Sequence, residues 1–411
     1  MLDIKFIREN PDVVKEGIKK KGVSPALIEQ ILDLDEENRK YIKSTETLQA
    51  EQKKIGKDDI DEARKIKAEK IKLGEALEEI KKKLNELLLQ VPNLPFEDVP
   101  VGKDESGNVV IGSIGNKTKF DFKPKDYMAL SEDLDLIDTQ RAAKISGSRF
   151  SFIKNEAVLL EFALVRLAFE KLAKKGFIPV IPPVMLKSEI ARGMGYFEQA
   201  DANEAYYLPQ DDLYLAGTAE QPLGTMHKDE VFNEKDLPKR YAGFSTCFRR
   251  EAGSYGKDTK GILRVHQFDK IEMFSFTKPE DSKKEHQLFL EMEKELMKEL
   301  KIPYQVVQIC TGDLGLPAAS KYDIEAWVPS ENRYRETHST SNCTDFQARR
   351  LNIRYKNKAG KLDFVYTLNG TAFAIGRTLI AIIENYQQKD GTVKVPNVLQ
   401  KYTGFKEIKK K

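Results

Sequence analysis

The spacing of apolar positions changes character along the chain. Up to about residue 91 it is helical; beyond about residue 150 it comes in short runs broken by turns. Leu27, Leu34, Tyr41, Leu48 and Ile55 stand seven apart, and Ile31, Asn38, Thr45 and Gln52 fall between them, also seven apart. That alternation of four and three is a coiled-coil seam. Gly56-Lys57-Asp58-Asp59 breaks it as a tight turn. In a second run Ile66, Leu73, Ile80 and Leu87 interleave with Lys70, Leu77, Leu84 and Val91, and Pro92 stops it. Two heptad helices joined by a few residues fold most simply as an antiparallel hairpin, roughly 45 Å long at ~1.5 Å per residue. Residues 1 to about 26 read as a short helical lead-in punctuated by Pro11 and Gly22.

After a turn-rich stretch at 92–150, a helix is expected over 155–175, with Val158, Phe162, Val165 and Phe169 on its apolar face and Gly176 as its cap. The proline-bearing run at 177–185 is excluded from a sheet interior, so it is an edge strand or a subunit contact. Short strands follow at 206–217, 239–248, 304–309, 322–327, 334–342 and 364–368, with helices at 285–300 and 378–386. This is an α+β pattern with antiparallel strands, not alternating βαβ. Gly115-Asn116-Lys117-Thr118 lacks the ending of a phosphate-binding P-loop.

With 411 residues, two or three domains are expected. We place the boundary at 105/106, with a helical arm at about 27–91. The 32% charged content suits a long solvated helical element. The formal net charge is only +3, so a nucleic-acid site would be a local patch. Arg39, Lys40, Lys43, Lys53, Lys54, Lys57, Arg64, Lys65, Lys67, Lys70 and Lys72 lie around the middle and tip of the arm with acids interspersed. Phosphate binding and a plain solvated face both fit that pattern. Cys247, Cys310 and Cys343 form no paired motif, and no structural zinc is expected. A reducing cytoplasm is the natural compartment. The first residues carry charge and no apolar core of a signal peptide, and no apolar run reaches membrane-spanning length.

Four segments carry candidate chemistry. Thr218-Ala219-Glu220 offers a hydroxyl and a carboxylate suited to an ammonium group. Residues 248–276 read as two strands around a loop with Lys257 and Lys260. Arg249 and Glu251 share a face of the first strand by parity, and Arg264, His266, Phe268 and Glu272 a face of the second; if the strands pair, that face holds two arginines, two glutamates and an aromatic ring. Glu336, Thr337, Ser339, Thr340 and Ser341 form a strand too polar to explain by packing, and a carboxylate with a nearby hydroxyl suits Mg²⁺ on phosphate. Residues 369–377 run from strand to helix, with glycines that permit close backbone approach and Arg377 at the helix start, where phosphate is favoured.

These segments carry a resemblance. Phe248-Arg249-Arg250-Glu251 with 264–268 resembles motif 2 of the class II aminoacyl-tRNA synthetases; Gly376-Arg377-Thr378 resembles motif 3 and 177–185 motif 1. The stretches 218–220, 251–274, 341–350 and 368–387, with the helical hairpin, are similar to the seryl-tRNA synthetase family over essentially the whole chain. The resemblance implies activation of L-serine with ATP and transfer of the seryl group to tRNA(Ser). It admits tRNA(Sec) as a second acceptor. It implies Mg²⁺, a homodimer, and tRNA contacts by the coiled-coil arm and the motif 2 loop. Catalytic roles fall on Arg249, Glu251 and Arg377. Thr218, Ala219, Glu220, Arg249, Glu272, Asn369 and Thr371 would hold serine. Arg249, Arg250, Glu251, Val265, Phe268, Glu336, Thr337, His338, Ser339 and Arg377 would hold ATP, with Glu336 and Ser339 on the metal.

Two departures stand out. Many bacterial members have Glu-Ile-Ser-Ser where this chain has Glu336-Thr337-His338-Ser339, so His338 is expected as a hydrogen-bonding pocket wall. Many have Asn-Gly-Ser-Gly where this chain has Asn369-Gly370-Thr371-Ala372. Two other functions compete: a non-catalytic RNA-binding paralogue, and a ligase that charges a carrier protein with serine.

Overall fold

The computed structural model describes residues 1–54, 60–195, 204–252 and 261–410. The chain divides into two compact units, Met1–Leu94 and Pro95–Lys411. Residues 95–105, expected with the first unit, pack with the second. Phe96 N–H donates to the Ala319 carbonyl and Thr311 N–H to the Pro100 carbonyl, both at 2.9 Å. Val99 is buried against Val307, Ile309 and Leu314.

The first unit is helical: α1 (Ile4–Glu9), α2 (Pro11–Lys20), α3 (Ala26–Gln52) and α4 (Ile60–Gln90). Pro11 opens α2, where its missing N–H has no partner to lose. Ile28 and Ile31 at the start of α3 share a buried cluster with Leu84 and Leu88 at the end of α4 and Val91 just past it, so the two helices run antiparallel. Ile7, Val14 and Ile18 close that cluster from α1 and α2. Further along α3, Leu34, Asn38, Tyr41, Thr45 and Leu48 are half-buried between exposed neighbours, which is the expected seam. Asp35 is buried at its base and paired with Arg8 at 2.9 Å and Arg39 at 3.1 Å.

The second unit is built on an eight-stranded sheet: β1 (Val109–Ile114), β2 (Phe177–Val180), β3 (Lys239–Phe248), β4 (Gln267–Thr277), β5 (Tyr304–Gln308), β6 (Ser320–Val328), β7 (Arg333–Asn342) and β8 (Tyr366–Ala374). Their order is β1-β5-β6-β7-β8-β4-β3-β2. Every pairing is antiparallel except β2 with β3. The proline-bearing strand β2 is at the edge, where a missing N–H breaks no ladder. One face is covered by α5 (Glu156–Ala173), α6 (Ser282–Leu300) and α7 (Ile375–Asn385). Leu160, Leu164, Phe289, Met292, Leu379 and Ile382 of these helices form one core with Ile271, Met273 and Leu368 of the sheet. Gly176 ends α5 with φ +82° and donates its N–H to Ala173. The other face of the central strands carries Glu272, Ser339, Ser341, Asn369 and Thr371. Among the described residues no helix is long and apolar enough to cross a membrane.

Candidate active site

Strands β4, β8 and β7 form the floor of the site, and register sets what faces it. Phe268, Lys270 and Glu272 alternate to the free face of β4. Glu272 stands opposite Thr371, and Asn369 opposite Ser341. Gly370 turns to the helix side, where an added Cβ would lie 3.0 Å from Phe289 and 3.2 Å from Glu293 Oε1. Two bulges rephase this alternation. Thr337 is the extra residue between the pairs His338–Ile324 and Glu336–Glu325. It returns Glu336 to the face that carries Ser339, although the two are an odd number of residues apart. Ala372 does the same on β8, between Thr371–Glu272 and Phe373–Ile271.

His338 therefore faces the helices. It is buried, its ring centroid lies 5.7 Å from that of Phe373, and Nδ1 is 2.8 Å from Thr337 Oγ1. Burial pushes its pKa down to about 4, so it is a neutral core residue at pH 7. The expected pocket wall is supplied instead by its neighbours Thr337 and Ser339.

A cavity of about 470 Å³ opens on the free face. At one end, Thr218 Oγ1 donates to Glu272 Oε2 at 3.3 Å, and Lys270 is ion-paired with the same oxygen. Asn369 Nδ2 and Gln347 Nε2 both donate to Glu220 Oε1 at 3.0 Å. Thr218, Glu220, Lys270, Glu272 and Asn369 are all buried. Glu293 is fully buried behind them; desolvation, then the charges of Asp323 and Glu272, raise its pKa well above the usual carboxyl range.

A second cavity of about 70 Å³ adjoins the first and shares Arg249, Glu251, Lys270, Glu336 and Thr371 with it. Val265, Phe268 and Arg377 line it. The Arg249 guanidinium lies 5.3 Å from the Phe268 ring, and its Nε donates to the Gly217 carbonyl at 3.0 Å. Arg377, in the first turn of α7, donates to the Glu336 carbonyl at 3.1 Å and pairs with its carboxylate at 3.2 Å. Partial burial works to raise the Glu336 pKa, but Arg377 and Lys321 outweigh it and hold the carboxyl down at about 2. Asp323, opposite Ser339 on β6, is pushed up by burial to about 7 against the pull of Lys321.

Strand parity does not place every member. β3 ends at Phe248, so Arg249, Arg250 and Glu251 lie beyond it, and Glu251 has φ +50°. Arg249 and Glu251 still reach the cavities, because Arg249 N–H donates to His266 O at 3.0 Å and Arg149 Nη1 donates to Glu251 O at 2.9 Å. Arg264 lies outside β4 and pairs with Glu251 at 3.6 Å. Arg250 is exposed, 5.6 Å from the Tyr206 ring, and Ala219 is buried in the core beside Leu223. Lys257 and Lys260 lie outside the described residues.

Sequence reasoning missed Lys270, Gln347, Lys321 and the wall at 314–318. Lys270 shares parity with Phe268 and Glu272, a signal that was available. Residues 314–318 are apolar apart from glycine and carry no such signal.

The similarity of the chain to known proteins extends over its full length. The chain is 46% identical to the serine–tRNA ligase of Thermobifida fusca over 98% of both chains. It belongs to the seryl-tRNA synthetase family. The model of the seryl-tRNA synthetase N-terminal domain matches residues 1–95, and that of the tRNA synthetase class II core domain (G, H, P, S and T) matches residues 206–386. The crystal structure of seryl-tRNA synthetase from Pyrococcus horikoshii complexed with ATP is 45% identical, covers 99% of each chain and superposes with a TM-score of 0.94. The cytoplasmic serine–tRNA ligase of Naegleria fowleri in complex with AMP is 35% identical, covers 100% of this chain and 99% of its own, and gives 0.91. The family's antiparallel class II core is the sheet described above.

Proposed function

We propose that this protein is a serine–tRNA ligase that activates L-serine with ATP and passes the seryl group to tRNA(Ser). The observation that carries the reading is the meeting of two dissimilar cavities at Arg249. One is a buried polar pocket with carboxylates; the other has an aromatic ring and Arg377. Such a pair suits a zwitterion and a nucleotide joined at their reacting ends. Thr218 and Glu220 hold the serine ammonium, Glu272 its hydroxyl, and Asn369 and Thr371 close that pocket. Phe268 stacks on adenine, Glu251 takes its amino group, and Val265 supplies a backbone contact. Arg377 clamps the γ-phosphate once released from Glu336. His338 contributes main-chain atoms only.

In the first step a serine carboxylate oxygen attacks the α-phosphorus, and the bond to pyrophosphate breaks. In the second the ribose 3′-hydroxyl of the tRNA end attacks the seryl carbonyl and AMP leaves. Both steps need alignment and charge neutralisation more than a protein nucleophile. Arg249 can fork between the serine carboxylate and the α-phosphate. Glu336, kept ionised beside Ser339, gives the hard oxygen donors that suit Mg²⁺. Mg²⁺ bound there would neutralise phosphate charge.

The helical arm is read as the tRNA-binding element, with the 252–261 loop at the acceptor end, and the protein as a cytoplasmic homodimer. A carrier-protein ligase has no use for a long helical arm. Labelled pyrophosphate exchange tests the reading. Purified protein with serine, ATP and Mg²⁺ should return label to ATP; absence of serine-dependent exchange would sink it.

A further inference from the structure

Lys270 has no part in the roles above, yet it sits at their junction. On β4 it lies between Phe268 and Glu272 on the same face, and it lines both cavities. It is 7% exposed, and its ammonium is ion-paired with Glu272, itself 2% exposed. A buried lysine is costly unless an anion holds it, and a buried carboxylate needs the converse.

The charges around Glu272 explain why a cation stands there. Glu220 and Glu293 are buried in the same patch. Burial raises the Glu293 pKa well above the usual carboxyl range, and Glu220 and Glu272 are the acids of this patch that line the cavity. Lys270 is the cation paired with Glu272. Arg249 is committed on its Nε to the Gly217 carbonyl and faces the ring of Phe268, so it does not substitute for Lys270 here.

The hydrogen bonds sharpen this. Lys270 and Thr218 both engage Oε2 of Glu272. With Oε2 fixed from two sides, Oε1 is left for the ligand, and an ionised carboxylate can only accept. A hydroxyl-bearing substrate satisfies it, whereas alanine leaves it desolvated and unpaired.

We propose that Lys270 is a positioning residue for amino-acid selection, holding the Glu272 carboxylate so that its second oxygen accepts from the substrate hydroxyl. The inference rests on the serine reading of this pocket and deepens it. Lys270 acts through Glu272, not by touching the reacting atoms. Rejection of threonine, which depends on the space left for an added methyl, is independent of Lys270.

The test compares Lys270→Met, Lys270→Arg and the wild-type full chain by pyrophosphate exchange with serine, alanine and threonine, and measures the KM for ATP. In Lys270→Met the serine-to-alanine ratio of kcat/KM should fall by about tenfold or more, because the lost hydroxyl bond is what separates the two substrates. The serine-to-threonine ratio and the KM for ATP should stay within about threefold of wild type. Lys270→Arg, which keeps the charge, should restore most of the serine-to-alanine ratio and carries the test by itself if the methionine variant does not fold. An unchanged serine-to-alanine ratio in Lys270→Met overturns the proposal. So does a raised KM for ATP with that ratio intact, which would mark Lys270 as a phosphate contact, or a collapse of the ratio in a folded Lys270→Arg. If wild type shows no serine-dependent exchange at all, the functional reading fails instead, which is a separate result.

Discussion

At the residue scale, the site's chemistry depends on which charges are shared and which are left over. Arg249 is the only side chain assigned to both reacting groups. Arg249→Ala should lower serine-dependent exchange by about 10²–10³-fold, as loss of one oriented donor at a reacting centre does. Its melting temperature should stay near wild type, since the side chain is half-buried and, among the described residues, makes one hydrogen bond, to a carbonyl. Near-normal exchange would refute the role. Glu293 makes a different prediction. Its pKa in the folded protein is raised above the unfolded value of about 4.3, chiefly by burial. From about pH 5 upward the unfolded chain releases this proton while the native state keeps it, so its contribution to stability falls as pH rises. Glu293→Gln, which cannot titrate, should lose that slope. Denaturant midpoints at pH 5 and pH 8 would show it as a smaller drop in the variant; equal drops in both proteins would contradict it.

At the element scale, the two long helices are stabilised unevenly. Ile31 is fully buried with Leu84 and Leu88, whereas Leu48 is only half-buried on the same helix. Ile31→Ala should destabilise the first unit by roughly 2–4 kcal/mol, as a buried truncation leaves a cavity, and Leu48→Ala by under ~1 kcal/mol. Chemical denaturation followed by helical circular dichroism checks the ordering; equal losses would mean that the seam is sealed along its length. In the second unit the elements that matter most are the bulges at Thr337 and Ala372. Strict alternation places Glu336 and Ser339 on opposite faces, and only the extra residue brings them together. The same bulge sends His338 to the core, where sequence reasoning expected a pocket wall.

At the scale of the whole molecule, each unit closes its own core. The first centres on Ile7, Ile18, Ile28 and Leu88, the second on the sheet and its helices. Residues 95–411 expressed alone should therefore fold and keep serine-dependent exchange within about tenfold of the full chain, while charging of tRNA(Ser) collapses. Loss of exchange on truncation would show that the helical unit is needed for chemistry. Transfer to tRNA at the full rate would show that it is not the tRNA-binding element.

The sequence by itself determined the helical arm, the antiparallel α+β class, the exclusion of the proline-bearing run at 177–185 from a sheet interior and the segments that carry chemistry. These rest on period, on proline's missing donor and on glycine's freedom, all of which act within a few residues. Only the tertiary structure decided which side chains share the cavity. The Lys270–Glu272 pair, the Gln347–Glu220–Asn369 bonds and the wall at 314–318 join positions far apart in sequence or faces set by register. Register is fixed by pairing with a neighbouring strand, and a one-residue bulge there reverses every face beyond it.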